Sequence, residues 1–187
     1  MDERPPGTSS DDVNEPIRVV SYDPQWPALF EREAALLGEA IGVWAIGGIH
    51  HVGSTSVPGL AAKPTIDIAI GVADLSTSRP CIDILADLHY CYWPYRAEVM
   101  HWFCKPHQRR RTHHLHLIPT DSPRFREEIT FRDYLRTHPT SAERYQLLKQ
   151  RLARKYPRDR EAYTQGKADL VGELTTAALV WQDSRPR

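Results

Sequence analysis

Two stretches of the chain alternate apolar and polar residues with the period of a β-strand. In "TIDIAIGV" (residues 65–72) Ile66, Ile68 and Ile70 fall on one face and Asp67 and Ala69 on the other. In "RTHHLHLIP" (residues 111–119) His113, Leu115 and Leu117 share one face, and Thr112, His114 and His116 share the opposite one. "EVMHWFCK" (residues 98–105) reads as a neighbouring strand, joined to the second stretch through the basic loop "PHQRR". "IRVVSY" (residues 17–22) predicts a short strand, and "WAIGGIHHVGS" (residues 44–54) a strand broken by glycines. Elsewhere the period is helical. Asp23-Pro24 marks a helix start, and Trp26, Leu29, Phe30, Leu37, Ala40 and Ile41 then line one face. A second helix is expected over Arg79–Leu88, with Ile82, Leu85 and Leu88 inward. From Pro123 onward three helices follow: "SPRFREEITFRDYLRTHP", "TSAERYQLLKQRLARKYP" and "DREAYTQGKADLVGELTTAALVW", with Thr140 and Asp159 as caps. Strands mixed with helices, then a helical last third, predict an α/β or α+β sheet with helices packed on one side.

Composition narrows the classes. At 187 residues the chain is expected to form one domain over residues 17–182. Residues 1–16 are poor in large apolar groups and predict a disordered arm, and residues 183–187 a flexible tail. Lys plus Arg and Asp plus Glu both number 24, so overall charge favours neither a nucleic-acid nor a membrane partner. Lys105, Arg109, Arg110 and Arg111 nevertheless form a local basic run. Cys81, Cys91 and Cys104 are odd in number and lack C-x-x-C spacing, which predicts reduced cysteines in a cytoplasmic protein. No apolar run has the length of a membrane span, and the acidic N-terminus is not a signal peptide.

Candidate chemistry lies in three places. Gly53-Ser54-Thr55-Ser56 follows a strand. Small residues there let backbone N–H groups approach a phosphate, with Lys63 adding charge; a plain glycine-serine turn would look the same. The spacing is neither a Walker A loop nor a Rossmann fingerprint. Asp67, set between isoleucines, is costly to bury alone, so it must face a cleft, a metal or a basic partner. His114 and His116 on one strand face suit metal binding, general-base work, phosphate contact or plain hydrogen bonding. His101 and Cys104 lie nearby, but no zinc spacing is present. Arg132, Asp133, Tyr134 and Arg136, then Tyr163 and Lys167 one helical turn apart, read by default as solvated or paired helix residues.

Taken together, "YDPQWPALFERE", "HVGSTSVPGLAAKPTIDI", "RTHHLHLI", "FRDYLRTHP" and "DREAYTQGKADLV" closely resemble the GrpB family, over about Ile17 to Trp181. That resemblance implies a nucleotidyltransferase-like fold: a Gly-Ser pair after a strand, a strand bearing Asp-x-Asp, and a third acid on a later strand. Gly53-Ser54 match the pair and Asp67 the first aspartate. Ala69 stands at the second, and His116 or His114 lies where the third acid is expected. The resemblance thus implies catalysis by Asp67, His116 and His114. It implies phosphate binding by Gly53, Ser54, Thr55, Ser56, Lys63, Arg111 and Lys167, and a divalent metal (Mg²⁺ or Mn²⁺) on Asp67 and His116. One aspartate with histidines suits a softer ion than Mg²⁺, or no metal at all.

The function expected is transfer of a nucleotidyl or phosphoryl group from an NTP to an unspecified acceptor. Two other readings stay open: ATP-dependent activation of a carboxylate on the same fold, and a non-catalytic domain that binds a nucleotide or a partner.

Overall fold

The computed structural model describes residues 16–107 and 110–185. The expected N-terminal arm falls almost entirely outside the described residues, as do Gln108 and Arg109 of the basic loop and the last two residues of the tail. Five strands form one mixed sheet: β1 (Ile49–Val52), β2 (Ile66–Val72), β3 (Cys91–Trp93), β4 (His101–Pro106) and β5 (Arg111–Pro119), in the order β1-β2-β5-β4-β3. β2 and β5 run parallel at the centre, and the other pairings are antiparallel. Their register sets Asp67 beside His114 and Ala69 beside His116.

The helices are α1 (Trp26–Ile41), α2 (Cys81–Asp87), α3 (Pro123–Thr137), α4 (Pro139–Lys155), α5 (Arg160–Gln165) and α6 (Ala168–Asp183). They pack on both faces of the sheet rather than on one. The apolar faces of β2 and β5, with Ile66, Ile68, Ile70, Leu115 and Leu117, meet Trp26, Phe30, Leu37 and Ile41 of α1 and Leu85 of α2. Val52, Ala69 and Ile118 on the reverse face meet Phe125 and Ile129 of α3. Burying a strand on two faces requires apolar groups on both, and Ala69 and Val52 supply the second set.

Several local expectations change. "IRVVSY" makes only an isolated bridge, Val20 to Ala62, because no further partner strand lies beside it. The glycine-broken strand is regular only over β1. The last predicted helix is two helices, parted at Gly166, where a Cβ would stand 2.6 Å from a Leu152 methyl. α4 begins at Pro139, so Thr140 lies in its first turn instead of capping it. Asp159 does cap α5, its carboxylate accepting from the Ala162 N–H at 2.9 Å. Asp183 belongs to α6 and pairs with Arg126 of α3, so it is not part of a tail. Ile17, at the boundary of the expected arm, is buried against Leu152 and Tyr163. Among the described residues no helix is long and apolar enough to cross a membrane.

Candidate functional site

Asp67 sits where strand alternation put it, on the face of β2 turned away from α1. Gly53, just past β1, makes room for it. Its φ is +68°, and a Cβ there would stand 2.3 Å from Asp67 Oδ2. Only glycine meets both conditions. On the other side His114 Nδ1–H donates to Asp67 Oδ1 at 2.8 Å. That bond assigns the proton to Nδ1, and His114 Nε2 is buried without a partner. Burial lowers the His114 pKa against the pull of Asp67, so the ring is neutral and acts as a fixed donor. Burial tends to raise the Asp67 pKa, but the His114 hydrogen bond and the electrostatic pull of His114, His116 and Lys63 overcome it. The net direction is down, and the carboxylate is ionised.

Asp67 and Gly53 line two cavities at once. The first, about 240 Å³, is strongly cationic: Lys63, Arg111, Lys149, Arg160 and Lys167 surround the single carboxylate of Asp67. Crowding and burial depress the amines. Lys149 is lowered to about 7 and Lys63 to about 8, each chiefly by burial, with neighbouring cations adding to the effect. Burial lowers Lys167 as well. Arg160 Nε and Nη1 are buried with no hydrogen-bond partner. Buried cations in excess of carboxylates, with donors unsatisfied, make a site suited to an anion. Lys63, Thr65, Arg111 and Arg160 also border a further cavity of about 290 Å³.

The second cavity at Asp67 lies toward α3 and α6 and contains His116 rather than His114. His116 Nδ1 donates to Glu128 Oε1 at 3.0 Å, and Glu128 also takes Arg124 at 2.8 Å. Burial opposes a charge on His116, but Glu128 and Asp67 prevail and its pKa is raised. Asp67 is therefore the junction, with one histidine on each side.

The expected phosphate cradle is only partly turned toward the cationic cleft. Thr55 is buried, donates to Thr65 O at 3.2 Å and meets His51 Nε2 at 3.0 Å. Ser56 is buried and donates to Gly53 O at 2.6 Å. Both hydroxyls serve the turn itself. Of the three hydroxyls Ser54 alone reaches the cleft, beside Gly53, and accepts from Lys149 Nζ at 2.9 Å. Lys63, Arg111 and Lys167 do line it. Arg132 and Arg136, on α3, brace the loop from outside by donating to His51 O and Ser56 O.

Sequence reasoning missed Lys149, Arg160, Tyr145 and Glu128. Lys149 carried a usable signal. With Tyr145 and Leu152 it forms the buried stripe of α4, and a lysine on an apolar stripe needs a reason. Its ammonium is held by Ser54, Ala61 O at 2.7 Å and the Tyr145 ring.

A resident divalent cation does not fit these donors. One oxygen of Asp67 is committed to His114, and His116 Nδ1 is turned to Glu128. A methyl group, Ala69, buried in the core, stands where a second acid would be. Among the described residues no three His, Cys, Asp or Glu side chains are grouped as a metal site. Five cations nearby would repel a dication further.

The sequence profile of the GrpB protein matches residues 16–177. The chain belongs to the GrpB family. A UPF0157 protein of Pseudomonas aeruginosa is 39% identical over 168 residues, which are 87% of this chain and 68% of that protein. The UPF0157 protein YqkA of Bacillus subtilis is 31% identical over 169 residues, 90% of this chain, and the chain spans only 49% of YqkA. The crystal structure of the conserved protein GrpB from Enterococcus faecalis matches with a TM-score of 0.81 at 30% identity, over 88% of this chain and 99% of that one. The mixed sheet and helical last third are thus those of a solved GrpB protein, with the nucleotidyltransferase-like arrangement.

Proposed function

We propose that this chain binds a nucleoside polyphosphate through its phosphates in the cationic cleft and transfers a nucleotidyl or phosphoryl group from it to an acceptor. One observation carries the reading: five cationic side chains converge on a cavity whose single carboxylate, Asp67, also opens onto a second cavity. The adjoining 290 Å³ cavity gives a nucleoside room beside its phosphates. Each cavity alone is smaller than most ligand sites, and together they reach the usual range.

In the step proposed, the acceptor's O–H or N–H attacks phosphorus. The new bond to phosphorus forms as the bond to the leaving phosphate oxygen breaks, and that electron pair departs on the oxygen. Lys149, Arg160 and Lys167 neutralise the charge that develops there. The acceptor's proton passes to Asp67, which His114 holds in place. A weakly basic carboxylate suffices where the transition state is loose and the proton leaves late. Free cysteines support a cytoplasmic location for this chemistry.

Calorimetry with ATP and with pyrophosphate at low salt tests the binding. Lys167→Met should weaken both by about tenfold, the factor that ~1.4 kcal/mol represents. Asp67→Asn should bind ATP at least as well as the parent, since a negative charge leaves the cleft, yet lose slow ATP hydrolysis, with water standing in for the acceptor. Failure of ATP and pyrophosphate to bind would overturn the reading. Ala69, in place of a second acid, favours one other outcome, a nucleotide-binding domain without chemistry. ATP bound but never consumed would decide for it.

A further inference from the structure

The second cavity shares Asp67 and Gly53 with the cationic cleft but differs from it in the rest of its lining. It holds about 240 Å³ between β1, α3 and α6. Val52, Phe131 and Val171 give it an apolar wall, and His116, Arg124, Glu127, Glu128 and Thr175 a polar one. Glu128 is neutralised by Arg124 and His116. Glu127, one residue earlier on α3, has no ion pair or hydrogen bond among the described residues, so its carboxylate is free to take a partner. Asp67 lines the same cavity, so an apolar wall stands together with two carboxylates that no cation contacts directly.

We propose that this cavity binds the acceptor, and that the acceptor is a small molecule with an ammonium group, an apolar body and a nucleophilic O–H or N–H at the far end. The ammonium pairs with Glu127. The apolar body lies against Val52, Phe131 and Val171. The nucleophile then reaches Asp67, at the one place where both cavities meet. A cationic acceptor is also kept out of the neighbouring cleft, whose five cationic side chains repel it. The role of acceptor rests on the transfer reading above; the preference of the cavity for cationic amines does not.

Tyramine has this shape and serves as the probe, measured on nucleotide-free protein by amide chemical shifts and calorimetry. It should shift Val52, Val171 and Thr175, whereas 4-hydroxyphenylacetate, which replaces the ammonium with a carboxylate, should not. Glu127→Gln should weaken tyramine by about tenfold, and Glu127→Lys should abolish its binding. Equal binding of the two probes, unchanged tyramine affinity in Glu127→Gln, or no shift at the three amides would each overturn the proposal. Tyramine binding without ATP binding upholds the chemistry of the cavity and overturns the transfer reading beneath it. ATP binding without tyramine binding does the reverse.

Discussion

Two carboxylates, one on each side of the sheet, have opposite surroundings. Glu33 projects from the apolar stripe of α1 and is closed in by its partners: Lys105 Nζ at 2.7 Å, Tyr90 Oη at 3.0 Å and, farther off, His113. Its side chain is 8% exposed. Asp67 has one direct partner, a neutral histidine, and its side chain is 28% exposed into cavities on two sides. The first arrangement is complete, and any change in it leaves a buried group unmatched. The second is incomplete in a particular way, with cations near the acid but not bonded to it. A carboxylate with its counter-charges held at a distance marks a place for a ligand; one with its counter-charges in contact marks a joint in the fold.

The largest effect that would test this contrast is on the Glu33 side. Glu33→Gln leaves Lys105 without its countercharge and should cost about 3 kcal/mol, lowering Tm by about 10 °C for a chain of this size. Its ATP affinity should match the parent. A Tm loss of only a degree or two would show that the joint is not what holds α1. Next comes Gly53→Ala, which forces a side chain into positive φ and against Asp67. It should cost about 2 kcal/mol and move the carboxylate, which a denaturation curve and the His114 ring resonances would report.

A third effect depends on pH. Lys149 and Lys63 bind protons less readily folded than unfolded, so the unfolded chain carries more protons between their lowered values, about 7 and about 8, and the ordinary lysine value of 10.5. Stability of the ligand-free protein should therefore rise with pH over this window. The useful interval is pH 7 to 9, because above it the raised pKa of Cys81 works in the opposite direction. The slope should be on the order of 1 kcal/mol per pH unit. Saturating pyrophosphate, which favours the charged amines, should flatten it; a flat profile without ligand would show that the cations are not strained. The smallest effect is expected from Asp67→Asn, under about 1 kcal/mol in ligand-free protein, since asparagine still accepts from His114. A loss as large as that of Glu33→Gln would erase the contrast between the two acids.

Much of the sheet was legible from alternation. β2 and β5 lie where the pattern placed them, and the facing of Asp67, His114 and His116 followed from a period of two. What alternation cannot show is which face receives helices, and both do. β3 was missed because three residues are too few for a pattern. The last helix was expected to run unbroken from Asp159 to Trp181, although Gly166 separates two helices within it. The cationic cleft was legible only at Lys63 and, through resemblance, Arg111 and Lys167. Lys149 and Arg160 come from helices remote in sequence from the Gly53–Ser56 loop, and only the folding of α4 and α5 onto it brings them there. Glu33 and Lys149 had one signal in common, a charge on the apolar stripe of a helix. That signal alone does not say which is a joint and which a binding group; the neighbours do.

The order of the elements along the chain has a consequence for how the protein is made. Every strand among the described residues has been synthesised once Pro119 is added, whereas Lys149, Arg160 and Lys167 follow later. At about 5–20 residues per second, several seconds separate a nascent sheet from a finished cleft. During that interval Asp67 and His114 exist without most of the cationic wall and without the α6 side of the second cavity. The nascent chain can assemble its apolar α1 face first, while the walls of the two cavities at Asp67 are completed last.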